Sequence, residues 1–277
     1  MNRKVKYIGI ITISTLLFIT FHLITPPELT SDTPRDTLSA LALSLGFPLT
    51  ALLWAFIAYS CVAFGFYLIE DRLSGEKGAR GLQYGVSIGV LWLLGYVMTA
   101  PIYGNPFITE FVGGLCDAIP VVLMGWLLGL SSTKEAFRSA EDTFKNNASL
   151  VGITVFVLIF SVIRTVAYYL NIIDTGFQTD PLYTLAWTIV MGLCLGITYS
   201  LLGKTARSSS NFVSAIRFGF LLFGITWGSF ILFLPLVLKG QLVNTILLFL
   251  IDTLSVTVAY YFSETLINRS QRVHVAG

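Results

Sequence analysis

Charge is scarce in this chain. Asp, Glu, Lys and Arg make up 12% of its 277 residues, where a soluble domain carries about 25%. So little charge cannot cover a water-facing surface, so the expected solvent is lipid. The formal net charge of +2 is too small to suggest a nucleic-acid partner. With two histidines, a His-built metal site has almost nothing to draw on. The three cysteines, Cys61, Cys116 and Cys194, lie in apolar runs, none in CxxC spacing, and read as small buried residues rather than disulfide or metal partners. The P-loop pattern GxxxxGKS/T, the zinc pattern HExxH and the GxSxG nucleophile elbow are all missing, which removes the commonest ATPase, metalloprotease and serine-hydrolase chemistries. With no recognisable catalytic motif the chain is not read as an enzyme, and neither a metal nor a cofactor is expected.

Apolar residues are what the chain has in quantity: 55% of the total, with a mean hydropathy of +0.79. They fall into eight runs, each close to the twenty or so residues that cross a hydrocarbon core of about 30 Å. The runs are residues 5–24, 48–69, 81–103, 106–130, 150–170, 181–202, 213–238 and 242–266. The first follows a basic start and reads as a retained signal anchor rather than a cleaved leader, because the small-x-small candidate Ala40-Leu41-Ala42 lies far beyond its end. Pro26-Pro27 should stop the first helix. Asp36 could cap a short interfacial helix over 37–45, closed by Gly46. Ser132-Thr133-Lys134-Glu135 has capping-box spacing, and Phe137, Ala140 and Phe144 would share one face of a short surface helix.

Two stretches repeat. Pro48, Trp54 and Cys61 recur as Pro181, Trp187 and Cys194 with identical spacing, at an offset of 133 residues. Tyr84-Gly85 matches Phe218-Gly219, and Pro101 and Pro235 each follow the matched glycine by sixteen residues. The expected architecture is an all-α integral membrane protein of eight transmembrane helices, built as two parallel repeats of four. Residues 1–130 form the first repeat, 131–149 a cytoplasmic linker, 150–268 the second repeat and 269–277 a tail. An even number of spans per repeat leaves both copies facing the same way, related by a rotation near 180° about the membrane normal.

Of the 17 Lys and Arg residues, placing the N-terminus inside puts 14 in cytoplasmic segments. Only Arg35 and Lys239 then fall in outer loops, with Arg164 inside a span. The positive-inside rule therefore predicts a cell-membrane protein with both termini cytoplasmic. Glycines four apart (Gly85/Gly89, Gly125/Gly129, Gly192/Gly196, Gly224/Gly228) read as helix-packing seams. Trp54 and Trp187 lie six residues below an outer-end proline, the depth of a headgroup-level anchor.

Charge within a span is costly and marks either a structural pair or a site. The candidates are Glu110, Asp117, Arg164 and Asp252, with His22 as the repeat counterpart of Arg164. Asp117 and Asp252 should sit near the midplane. His22, taken singly, reads as an interfacial residue. Arg164 cannot shed its charge and is expected to face the interior and meet Glu110 or Asp117, Glu110 being closer in depth. Two intramembrane acids suggest an aspartyl intramembrane protease, but Leu115-Cys116-Asp117 and Leu250-Ile251-Asp252 lack its Tyr-Asp and Gly-x-Gly-Asp motifs.

The expected function is a small-solute permease or secondary transporter with a polar binding site between the repeats, lined by both halves and suited to a proton or a charged solute. The competing reading is an assembly, regulatory or immunity factor that works through contacts with other membrane helices. A lipid-modifying enzyme would need a polar cluster at headgroup level, which the sequence does not offer.

Overall fold

The computed structural model describes residues 3–25, 37–133 and 146–276. Pro26-Pro27, Asp36, half of the capping-box segment and the surface helix expected around Phe137 lie outside them. Among the described residues the chain is all-helical, and eight helices are long and apolar enough to cross a membrane. They are α1 (Arg3–Ile24), α3 (Phe47–Ile69), α4 (Lys77–Val97) with its continuation α5 (Ala100–Tyr103), α6 (Phe107–Ser131), α7 (Asn146–Tyr169), α8 (Pro181–Leu202), the broken seventh span, and α12 (Leu242–Ala276). The seventh span comprises α9 (Asn211–Ile216), a π-helical stretch (Arg217–Gly224), α10 (Ile225–Ile231) and α11 (Phe233–Val237). This is a multi-pass membrane protein whose outward side chains are predominantly Leu, Ile, Val and Phe.

The short helix before the second span differs from expectation at its start. It is α2 (Ala40–Leu45), capped by Ser39, whose Oγ accepts from the Ala42 amide at 3.0 Å. The segment ahead of it pairs as an extended backbone with the end of the seventh span: the Ser39 amide donates to Val237 O (2.8 Å) and the Lys239 amide to Thr37 O (2.8 Å). Pairing there fixes three residues that helix propensity would have recruited into α2. Gly46 ends α2 at φ +81°, a value strained for any residue with a Cβ.

The neighbours of each helix follow a regular plan. In the first half α1 packs on α3 and α6, and α4 on α6. In the second, α7 packs on α8 and α12, and the seventh span on α12. Between halves, α3 meets α10 and α11, while α8 meets α4. Glycine builds the α4–α6 seam. A Cβ on Gly81 would stand 2.1 Å from Gly125 O, and one on Gly129 2.3 Å from Lys77 O. Gly192 and Gly196 do the same job against Val157 and Ile153 on α7.

Prolines near the helix ends leave carbonyls without a donor, which hydrocarbon does not forgive. Pro101 cannot reach back to Val97 O. The Tyr183 hydroxyl of α8 donates to that carbonyl instead, at 2.7 Å.

The seam is testable. Gly81→Leu must push α4 and α6 apart. We expect it to lose about 1–3 kcal/mol or more of stability, read as a fall in the monodisperse fraction on size-exclusion chromatography in detergent. Gly9→Leu, where nothing lies within 4 Å of the added Cβ, should behave as wild type.

Candidate functional site

Arg164 faces the interior, as expected, but its partner is neither Glu110 nor Asp117. It grips Asp252 on α12 with two parallel bonds, Nε to Oδ1 at 2.6 Å and Nη2 to Oδ2 at 2.7 Å. Both side chains are fully buried. The expectation went wrong because it weighed depth and sequence proximity, whereas α7 packs on α12, the last helix of its own half. The rest of the cluster completes both groups. Trp227 Nε1 donates to Asp252 Oδ2 (2.9 Å). Arg164 Nη1 donates to the Tyr168 hydroxyl (3.1 Å), one helical turn along. Thr188 gives its own proton to Thr184 O (2.7 Å), so the Tyr168 hydroxyl donates to Thr188 Oγ1 (2.8 Å). The Trp187 ring lies 5.0 Å from the guanidinium carbon, within cation–π range.

A second acid–base pair joins α1 to α6. His22 Nε2 lies 3.0 Å from Asp117 Oδ1, so His22 is more than an interfacial residue. Its surroundings mirror those of Arg164. Phe18, one turn before His22, sets its ring edge-on at 4.6 Å, and Phe160, one turn before Arg164, lies 5.5 Å from the guanidinium carbon. The two pairs differ in access. The Arg164–Asp252 pair is sealed, whereas the His22 side chain is 30% exposed and both His22 and Asp117 line a cavity of about 860 Å³.

The cavity runs between α1, α3, α4 and α6 on one side and α10, α11 and the start of the turn into α12 on the other. It reaches from the helix ends near Pro48, Tyr103 and Gln241 down to Asp117, ten residues into α6 and thus roughly 15 Å along it. Aromatic rings supply much of its wall: Phe18, Trp54, Tyr96, Phe230 and Phe233. Glu110 also lines it, 2% exposed. Asn105 Nδ2 donates to Glu110 Oε1 at 2.6 Å, and the Thr99 hydroxyl lies 2.6 Å from both Glu110 Oε2 and Tyr96 O, with one proton for the two. Glu110 lies in the first turn of α6. Asp252 is no part of the cavity wall, so the expected site lined by both midplane acids is corrected to one that, among the described residues, has Asp117 and Glu110 as its acids.

Trp54 and Trp187 are not headgroup anchors. They are 2% and 5% exposed and bond across the two halves. Trp54 Nε1 donates to Ser229 O on α10 (2.8 Å), and Trp187 Nε1 to Leu94 O on α4 (2.7 Å). Buried indole N–H groups need an acceptor, and here a neighbouring helix backbone provides it. At the opposite end of the bundle from the cavity mouth, Arg3 bonds Glu70, Arg72 donates to Thr205 O (2.9 Å) and Arg207 meets Glu264 (3.3 Å).

Among the described residues no three His, Cys, Asp or Glu side chains gather in a way that could hold a metal ion. The site residues that sequence reasoning missed are Tyr168, Trp227, Thr99, Asn105 and Tyr96. Tyr168 carries a signal, lying one turn from Arg164 on the same face. Trp227 carries a weaker one in its near-match to Trp92. Searches among known protein families, characterised proteins and solved structures return no match to this chain.

A double-mutant cycle checks the ion pair. Arg164→Leu or Asp252→Leu alone leaves a buried unpaired charge, a loss of about 3–5 kcal/mol. The double variant should fold better than either, as scored by folded yield in detergent. Arg164→Leu combined with Glu110→Leu should be additive.

Proposed function

We propose that this chain is a small-solute permease of the cell membrane, with solute bound at His22, Glu110 and Asp117. The observation that carries the reading is the cavity of about 860 Å³, open to one end of the bundle and closed at depth by a carboxylate. Tightly filled bundles have no use for such a space, and ionisable side chains inside a span belong to solute or proton pathways more often than to packing. The second acid–base pair, Arg164–Asp252, has a different role in this reading. It is a fixed strut that holds α7 against α12 while the cavity half moves.

We further propose that the eight spans are two parallel repeats of four, residues 1–130 and 150–268, with both termini cytoplasmic. The exchanged tryptophan bonds support this, since Trp54 reaches the third span of the second half and Trp187 the third span of the first. The matched neighbour plan supports it too, as does the acid–base pair joining first to last helix in each half. Orientation rests on the basic residues Arg3, Arg72, Arg80 and Arg207 at the end away from the cavity, which puts the cavity mouth outside.

Two measurements test these readings. In a variant whose native cysteines are replaced, Thr179→Cys should react with an impermeant thiol reagent from outside intact cells and Glu76→Cys should not; the reverse pattern overturns the orientation. In proteoliposomes, wild-type protein should move at least one member of a broad solute panel. Asp117→Asn should cut that flux about tenfold or more, the effect of losing one charged hydrogen bond, with folded yield unchanged. Asp252→Asn should instead lower folded yield. If no solute moves in either direction, the permease reading fails and a role through contacts with other membrane helices stands in its place.

A further inference from the structure

The acids and rings of the cavity are arranged as a unit. Glu110, Gly113 and Asp117 follow one another at three- and four-residue steps, so they share one face of α6. Gly113 carries no side chain, and a Cβ there would stand 2.5 Å from Tyr96 Cε1. The Tyr96 ring therefore lies in the gap between the two carboxyl groups. Also on the wall, Trp54 packs against Phe233 (centroids 4.8 Å apart, tilted) and Phe18 (5.4 Å, edge-on). The wall thus has an acid on either side of the Tyr96 ring and an indole-centred aromatic cluster as well.

The charge balance is uneven. Glu110 meets two neutral groups, the Thr99 hydroxyl and the Asn105 amide, and among the described residues no Lys, Arg or His nitrogen lies within 4 Å of it. A carboxylate has four lone-pair positions, and these two contacts occupy at most half of them. Asp117 is faced by a single imidazole. Among the described residues the other basic group on the wall is Lys239, an exposed residue of the turn before α12. A buried carboxyl group with no counter-ion among the described residues, beside an aqueous-sized cavity with aromatic faces, is a receptor for positive charge attached to an apolar body.

We propose that the cavity binds a hydrophobic organic monocation, its charged end at the Glu110–Asp117 face and its apolar body against Tyr96 and Trp54. Neutral apolar solutes would leave Glu110 without its counter-ion, and anions would be repelled by both acids. The inference rests on the reading of the cavity as a solute site, but it concerns binding rather than movement across the membrane.

The test uses three probes of one shape and three charges: 1-naphthylmethylamine, which is a cation at neutral pH, 1-naphthylmethanol and 1-naphthoate. Their affinities are measured by calorimetry on full-length protein in dodecyl maltoside, a detergent without charge. Wild-type protein should bind the amine at least about tenfold more tightly than the alcohol and show no heat with naphthoate. Glu110→Gln should remove most of that preference while leaving the affinity for the alcohol unchanged. Equal binding of amine and alcohol by wild-type protein overturns the proposal without reference to any variant, so a misfolded Glu110→Gln cannot rescue it. Amine selectivity that survives both Glu110→Gln and Asp117→Asn overturns it as well. Selective binding without flux in proteoliposomes would sink the permease reading and leave this one standing; flux of solutes with no cation preference would do the opposite.

Discussion

A guanidinium that cannot lose its proton sits fully buried between α7 and α12, and much of the second half is arranged to make that tolerable. Arg164 has a bidentate carboxylate, a tyrosine hydroxyl and three aromatic faces around it. Asp252 in turn receives the Trp227 indole. A pair buried this deeply is worth little as net stability, because desolvation offsets the attraction. What it supplies is discrimination. An arrangement of helices that separates Arg164 from Asp252 leaves two charges in hydrocarbon, so α7 and α12 have one acceptable register. The Tyr168–Thr188 relay extends that constraint to α8, and the Trp187 ring over the guanidinium carries it to α4 through Leu94.

The first half has the same plan with softer chemistry. Histidine stands where arginine does, Phe18 takes the place of Phe160, and the partner acid is again on the last helix. Arginine is permanently charged, so the Arg164–Asp252 pair brings a fixed cation into the bundle. The His22–Asp117 pair is the one with a cavity beside it. In the two-repeat architecture proposed above, such a division lets one half keep the register while the other acquires a site.

Much of the architecture could be read from residues. Apolar runs of about twenty residues bounded by proline, glycine or charge placed all eight spans, because in lipid the backbone has few options besides a helix. The glycine pairs marked real close approaches. The five ionisable candidates all turned out to be buried or partnered, since intramembrane charge is too costly to be incidental. What could not be read was who pairs with whom. Three acids, on the two helices α6 and α12, lie at a depth Arg164 could reach, and only the packing of α7 on α12 selects Asp252. Depth likewise suggested interface anchors for Trp54 and Trp187, where the deciding factor was the direction in which each indole points. The π-helical stretch of the seventh span left no periodic trace, since one extra residue per turn is invisible in a run that is apolar on every side.

The indole bonds of Trp54 and Trp187 that tie the halves together end on main-chain carbonyls, as does a longer one from Trp92 to Thr226 O (3.3 Å). Neither Ser229 nor Leu94 contributes its side chain to the contact, so the identity of the residue at either position is not fixed by it. The tryptophans carry the whole chemical requirement, and their partners need supply only a backbone at the right height. Over long divergence the two ends of each bond are therefore under unequal constraint: the donor is held, the acceptor is free to drift. Pairs of this kind leave no trace of correlated change, and a search for contacts based on co-varying positions would pass over the joint that holds this molecule's halves together.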